Sequence, residues 1–269
     1  MKALLGNRLA VIGALTLAAL AVVAIAARWV APHDPLQVNL PDALLAPCRA
    51  YPLGTDQLGR DVLSRLIYGA RISLLIGFIA VGIAVSIGTV VGALAGFYGG
   101  WLDAILMRFV DTMLSIPTIF LLLAIIAVIG PSIELIMVVI GLTSWMGVAR
   151  LVRAEILSLK EREFVLAAHV LGASSWRVIT KHLLPNAMGP VLVSATLGVG
   201  GAILSESVLS YLGLGVQPPT PSWGNILNEG RIALGVAWWL TLAPGLCILT
   251  TVLAFNLLGE GIRERLSRQ

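Results

Sequence analysis

Three residue types are scarce in this chain of 269 residues, which holds three lysines, three histidines and two cysteines. None of the lysines, Lys2, Lys160 and Lys181, follows a glycine, so the G-x-x-x-x-G-K-[ST] loop that cradles ATP phosphates is missing. His33, His169 and His182 are too scattered to form a metal site. Cys48 and Cys247 have neither metal spacing nor a disulfide framework around them and read as structural. There is no zinc-protease H-E-x-x-H, no serine-nucleophile motif and no His-Asp chain within an apolar run. Neither catalysis nor a bound cofactor or metal is expected of the chain itself.

Charge is the other deficit. Charged residues make up 12% of the sequence against 58% hydrophobic, and the mean hydropathy is +0.95, outside the range of soluble globular domains. Asp, Glu, Lys and Arg are absent from 9–27, 72–102, 112–133, 135–149, 183–205 and 232–259. Each window except 135–149 reaches the roughly 18 to 20 residues that a spanning helix needs, and the flanks complete that one. An all-α polytopic membrane protein with six spans follows, near 9–29, 72–97, 106–129, 133–152, 188–212 and 236–258. A signal peptide is the competing reading of the amino terminus, because Lys2 and Arg8 precede an apolar run ending in Ala24-Ile25-Ala26. That run exceeds the usual core of roughly 7 to 15 residues, so a retained anchor is expected.

Alternate connecting segments hold twelve and six basic residues, the larger set including Lys2, Arg8, Arg150, Lys160, Arg177 and Arg268. The positive-inside bias puts both termini and the 150–187 segment in the cytoplasm, and it explains the net charge of +4 without nucleic acid. Two sections are expected, 1–71 with the first span and an outer segment, and 72–269 with the remaining spans.

The 150–186 segment carries a pattern of its own. Phe164, Ala167, Ala168 and Leu171 recur at helical spacing, and Gly172 is placed to stop that helix in the left-handed conformation. Ser174 or Ser175 can cap a second helix, with Trp176, Ile179 and Leu183 on one face, Arg177 and Lys181 on another, and Pro185 closing it. A helix, glycine, helix hairpin results, and its apolar side needs a groove. The spacing resembles the coupling motif of ABC importer permeases, E-A-A, three residues, G, nine residues, I-x-L-P, with Leu166, Ala167, Ala168, Gly172, His182, Leu184 and Pro185 at those places. Leucine stands for the motif's glutamate and histidine for its isoleucine; Glu163 or Glu161 can substitute for the former.

A second segment resembles the peptide and nickel branch of the same family. Gly54-Thr55-Asp56, Gly59-Arg60-Asp61 and Ser64-Arg65 match the branch signature G-T-D-x-x-G-R-D-x-x-S-R. Thr55 or Asp56 can cap a helix there, lying along the membrane surface, with Asp61 and Arg65 paired at i, i+4. The run 212–227 and the closing 254–266 extend the resemblance over nearly the whole chain.

The resemblance implies a type I ABC importer permease fold in a bacterial cytoplasmic (inner) membrane, importing short peptides, with nickel as the alternative cargo. It implies four partners: a second homologous permease, two cytoplasmic ATPases that hold ATP and Mg, and an extracytoplasmic solute-binding protein. Phe164, Leu166, Ala167, Ala168, Leu171, Gly172, Ala173, Leu184 and Pro185 would then couple to the ATPases. Asp56, Arg60, Asp61 and Arg65 are candidate contacts for the binding protein. Candidates for the translocation path are Glu206, Ser205, Asp111 and Pro117. Glu206 lies in a span, so it must face water, meet a partner residue or reach the outer headgroups. Arg108 and Asp111 form an i, i+3 pair, and Pro117 offers a kink. The repeat Gly88, Gly92, Gly96 and Gly100 is a ridge for close helix approach, within the chain or between subunits. An ion-driven secondary transporter is the reading from another class; it calls for paired mid-membrane charges and inverted repeats, and neither is seen.

Overall fold

The computed structural model describes residues 7–267. Lys2 and Arg268, counted above among the inward charges, lie outside the described residues. Among the described residues there is no strand, and the elements are helices joined by short turns and one long loop.

Helix α1 (Arg8–Ile25) starts at Asn7, whose side chain accepts from the Leu9 and Ala10 amides. Its amide nitrogen donates to Glu264 at 2.7 Å and so ties the start of α1 to the far end of the chain. A four-residue helix, α2 (Ala27–Val30), leads into the loop. Helix α3 (Val62–Tyr98) has 37 residues and is about 55 Å long, against about 30 Å of hydrocarbon in a bilayer. The interfacial helix expected before residue 72 does not exist as a separate element. Asp61 caps α3 by accepting from the Ser64 amide at 2.9 Å, and those turns are the beginning of α3, running unbroken through the section boundary expected at 71.

The glycine ridge packs on α6 (Ile133–Lys160) of the same chain. A Cβ on Gly92 would stand 2.4 Å from the Ala149 carbonyl oxygen, and one on Gly88 would stand 2.6 Å from Val148 Cβ. Small residues here let two backbones touch, the means by which helices associate where water supplies no hydrophobic drive. Gly100 is not part of the ridge; with Gly99 it forms a left-handed turn (φ 57° and 64°) in open space.

That turn releases α4 (Gly100–Leu114), which meets α5 (Thr118–Ile129) at an 81° bend. The third span is therefore broken, with Pro117 at the break, where a missing N–H and a fixed φ are tolerated at a helix start. Beyond α6 come α7 (Glu163–Val170), the short α8 (Ser175–Arg177), a widened π turn (Val178–Leu183) and α9 (Leu184–Tyr211). Pro185 does not end a helix as expected. It sits in the first turn of α9, and the helical path continues from Ser175 to Tyr211. Helix α10 (Trp223–Ile232) and α11 (Trp239–Ser267) complete the fold. Among the described residues, five helices are long and apolar enough to cross a membrane, and α4 with α5 passes the same test as a bent pair.

Candidate coupling hairpin and buried polar clusters

The hairpin is built as one body with α6. Val165 and Ala168 of α7, Val178 and Ile179 beyond it, and Leu183 are buried against Val152 and Ile156. Gly172 takes φ +78°, and the Ala173 amide reaches back to the Ala168 carbonyl at 3.0 Å, closing α7 in the manner of a Schellman motif. Ser174 caps the next turn by accepting from the Arg177 amide.

The single apolar stripe expected of the hairpin divides in two. Ala168, Ile179 and Leu183 face inward, with Ala173 and Leu184 half-buried beside them. Phe164, Leu166, Ala167, Leu171 and Trp176 face outward, as does Pro185, so the coupling candidates do not share one surface. Leu171 is 86% exposed and Val170, which sequence reasoning passed over, is 87% exposed. Such large apolar side chains left bare at a hairpin tip mark an interaction surface.

At the opposite end of the bundle, Asp56, Arg60, Asp61 and Arg65 are all buried. Their surroundings explain why. Arg60 Nε donates to Asp56 Oδ2 at 2.6 Å, and its terminal nitrogen donates to Glu229 of α10 at 3.1 Å. Arg65 donates to Asp56 and to both oxygens of Glu229, at 2.8 Å for Oε1. Two guanidinium groups and two carboxylates thus neutralise one another, which suits buried charges better than any unpaired one. Asp61 accepts from the Ser64 hydroxyl at 2.6 Å and does not pair with Arg65 as expected. These side chains clamp the loop and α10 onto α3; they present no charge to a docking protein. Glu229 was missed. The signal for it was a lone carboxylate in the outer segment between two charge-free windows, facing a surplus of arginines.

Glu206 is fully buried inside the chain and meets neither a water path nor headgroups. Ser210 and Ser222 donate their hydroxyl protons to its Oε1 at 2.7 and 2.9 Å. Each hydroxyl in turn accepts from a backbone amide, Val216 at 3.1 Å and Asn225 at 3.1 Å. The carboxyl is the hub that holds the 213–222 loop and the start of α10 against α9. Its neighbour Ser205 is half-buried on the open side of α9 and donates to the Gly201 carbonyl at 2.9 Å. Asp111 is exposed and pairs across to Arg150 of α6 rather than with Arg108. Pro117 is exposed at the bend. Cys48 and Cys247 are free thiols.

A bundle of crossing helices, one span broken, with an apolar-tipped hairpin between the fourth and fifth crossings, defines a multi-pass membrane permease subunit. A family model described as binding-protein-dependent transport system inner membrane component matches residues 88–268, and one described as the N-terminal TM domain of oligopeptide transport permease C matches 1–47. The chain belongs to the family of binding-protein-dependent transport system inner membrane components. The dipeptide transport system permease protein DppC of Escherichia coli K12 is 43% identical over 97% of this chain and 89% of its own length. That of Alkalihalophilus pseudofirmus is 40% identical over 98% and 87%. Among solved structures, the inward-facing MetNI methionine ABC transporter gives a TM-score of 0.59 at 19% identity, over 76% of this chain and 95% of that one, a likeness of fold.

Proposed function

We propose that this chain is one of two permease subunits of an ATP-driven importer of short peptides. Two cytoplasmic ATPases holding ATP and Mg would drive it through the 161–185 hairpin, and an extracytoplasmic solute-binding protein would deliver cargo. Both termini and the hairpin then lie in the cytoplasm. The observation that carries this reading is the bare tip formed by Phe164, Val170, Leu171 and Trp176 on a hairpin anchored to α6. A push on that tip moves α6 and α9 together, because Val152, Ile156 and Ala187 share its core. Alternating access follows if the two permeases rock with their ATPases. Ser205, Asp111 and Pro117 remain the path candidates, since each is reachable from outside this chain.

Support for peptides comes from relatives named as dipeptide permeases that match this chain end to end. The cargo is tested in a deletion strain by growth on dipeptides as the sole amino-acid source, alongside uptake of nickel. Restored dipeptide growth is expected; nickel uptake without it would overturn the cargo. For the coupling role, Leu171→Glu should leave assembly of the membrane subunits intact and abolish uptake together with substrate-stimulated ATP hydrolysis. Normal uptake by that variant would remove the hairpin from the mechanism.

A further inference from the structure

Helix α4 is tied to α6 by two ion pairs. Arg153 on α6 donates to both oxygens of Asp103 at 2.5 and 2.6 Å, and Arg150 donates to Asp111. Eight residues along α4, from Asp103 to Asp111, thus correspond to three along α6, from Arg153 to Arg150. That is about 12 Å of one helix against about 4.5 Å of the other, so α4 lies across α6. The chain then bends by 81° into α5, whose Leu122 and Ile126 pack with Ile136 and Ile140 of α6. The level is informative as well. Arg150 ends the charge-free stretch of α6 that begins after Glu134, so α4 crosses it where the hydrocarbon stops on the hairpin side.

The two faces of α4 differ in character. Val110 is buried with Met146 and Ala149, with Met107 and Met113 packed beside it, and both acids of α4 are taken up by the arginines of α6. Trp101, Ile105 and Phe109 are exposed at i, i+4 and i+8 on the other face, with the Phe109 ring at its edge stacking on Trp145 of α6 at 6.3 Å between centroids. Arg108 stands among them, also exposed and without an ion-pair partner among the described residues. With Asp103 turned inward and the exposed Asp111 paired to Arg150 at the edge, Arg108 is the charge of α4 left without an ion-pair partner among the described residues, beside an aromatic and aliphatic stripe. Tryptophan favours the interface between headgroups and acyl chains, and helices of this composition lie in that plane.

We propose that α4 is an interfacial helix whose Trp101, Ile105 and Phe109 insert into the lipid monolayer on the hairpin side, with Arg108 binding the phosphate of an anionic phospholipid. The broken span is then held at its bend by lipid on one side and by the two Arg–Asp pairs on the other. The inference does not depend on the cargo.

Nitroxides attached at Ala104→Cys and Thr112→Cys test this in the full chain, co-expressed with its partners and placed in lipid nanodiscs. The background is cysteine-free (C48S and C247S). Both labelled positions are exposed and leave the three inserted side chains in place. Collisions with oxygen should exceed those with a water-soluble nickel chelate at both sites. Labels reached best by the chelate would mean that the face is in water, and labels shielded from both would mean that protein covers it; either result overturns the proposal. The second arm measures the motionally restricted fraction of spin-labelled phosphatidylglycerol against phosphatidylcholine. Arg108→Gln should lower the preference for the anionic lipid about fivefold, whereas Arg108→Lys retains it. An equal preference before and after Arg108→Gln would dismiss the phosphate contact.

Discussion

Arg65, one turn into α3, donates to both Asp56 and Glu229, carboxylates supplied by the long loop and by α10. That guanidinium, with Arg60 beside it, joins the end of the long loop and the start of α3 to α10, far along the chain, as a cap on one end of the bundle. Removing Arg65 leaves the buried Asp56 and the partly exposed Glu229 with Arg60 as their one remaining cation. Arg65→Leu should therefore destabilise the protein by about 3 to 5 kcal/mol, because an uncompensated buried charge costs more than the pair contributes. The drop is read as a lowered melting temperature of the purified protein. Glu229→Gln should cost less, since Glu229 is one-fifth exposed and water reaches its side chain. Equal effects would mean that the cap does not depend on Arg65 as its centre.

Gly172 and Ala168 allow folding and coupling to be separated within the hairpin. Gly172 has φ +78° and open space around it, so Gly172→Val meets backbone strain alone, of roughly 1 to 2 kcal/mol. Uptake should fall while the protein remains folded. Ala168 faces Val152 and Ile156, so Ala168→Asp buries a carboxylate without a partner and should unfold the hairpin. Limited proteolysis between α7 and α9 distinguishes the two: rapid cleavage is expected for Ala168→Asp and wild-type resistance for Gly172→Val.

The contact of α3 with α6 makes a steric prediction. A methyl group at Gly92 would stand 2.4 Å from the Ala149 carbonyl, a backbone atom that cannot rotate away. Gly92→Ala should separate the helices and cost about 1 to 3 kcal/mol, the range for overpacked cores. At Gly82 nothing lies within 4 Å. Gly82→Ala should therefore be neutral or stabilising, and similar melting temperatures for the two variants would refute the close-packing account.

Most of the spans were legible because absence of charge is a long-range signal: windows of roughly 20 uncharged residues survive any local error. The stop at Gly172 was legible because few residues other than glycine accept that backbone angle. What failed was inference about partners. Asp61 and Arg65 have ideal helical spacing, yet Asp61 caps α3 through its Oδ2 and Arg65 turns to Glu229, a residue far along the chain. Pairing by spacing also misassigned Asp111, which reaches Arg150 instead of Arg108. Pro185 suggested an end because proline breaks helix interiors, but the helical path widens into a π turn at Val178–Leu183 and carries Pro185 in the first turn of α9. Long-range tertiary contacts decided the partners of Arg65 and Asp111, and local periodicity carries no trace of them.

Glu206 gives the most discriminating test of the buried clusters. Its Oε1 accepts both hydroxyl protons, from Ser210 and Ser222, whose own acceptor sites are taken by the Val216 and Asn225 amides. Glu206→Gln keeps a carbonyl oxygen available to the same donors and should preserve stability to within about 1 kcal/mol. Glu206→Leu is close in size and removes the acceptor, leaving two buried hydroxyls unsatisfied at about 1 to 3 kcal/mol each. The loop from 213 to 222 should then detach from α9, seen as faster hydrogen exchange at the Val216 and Asn225 amides. If Glu206→Gln fails as badly as Glu206→Leu in the same exchange measurement, hydroxyl acceptance is not what this carboxyl contributes.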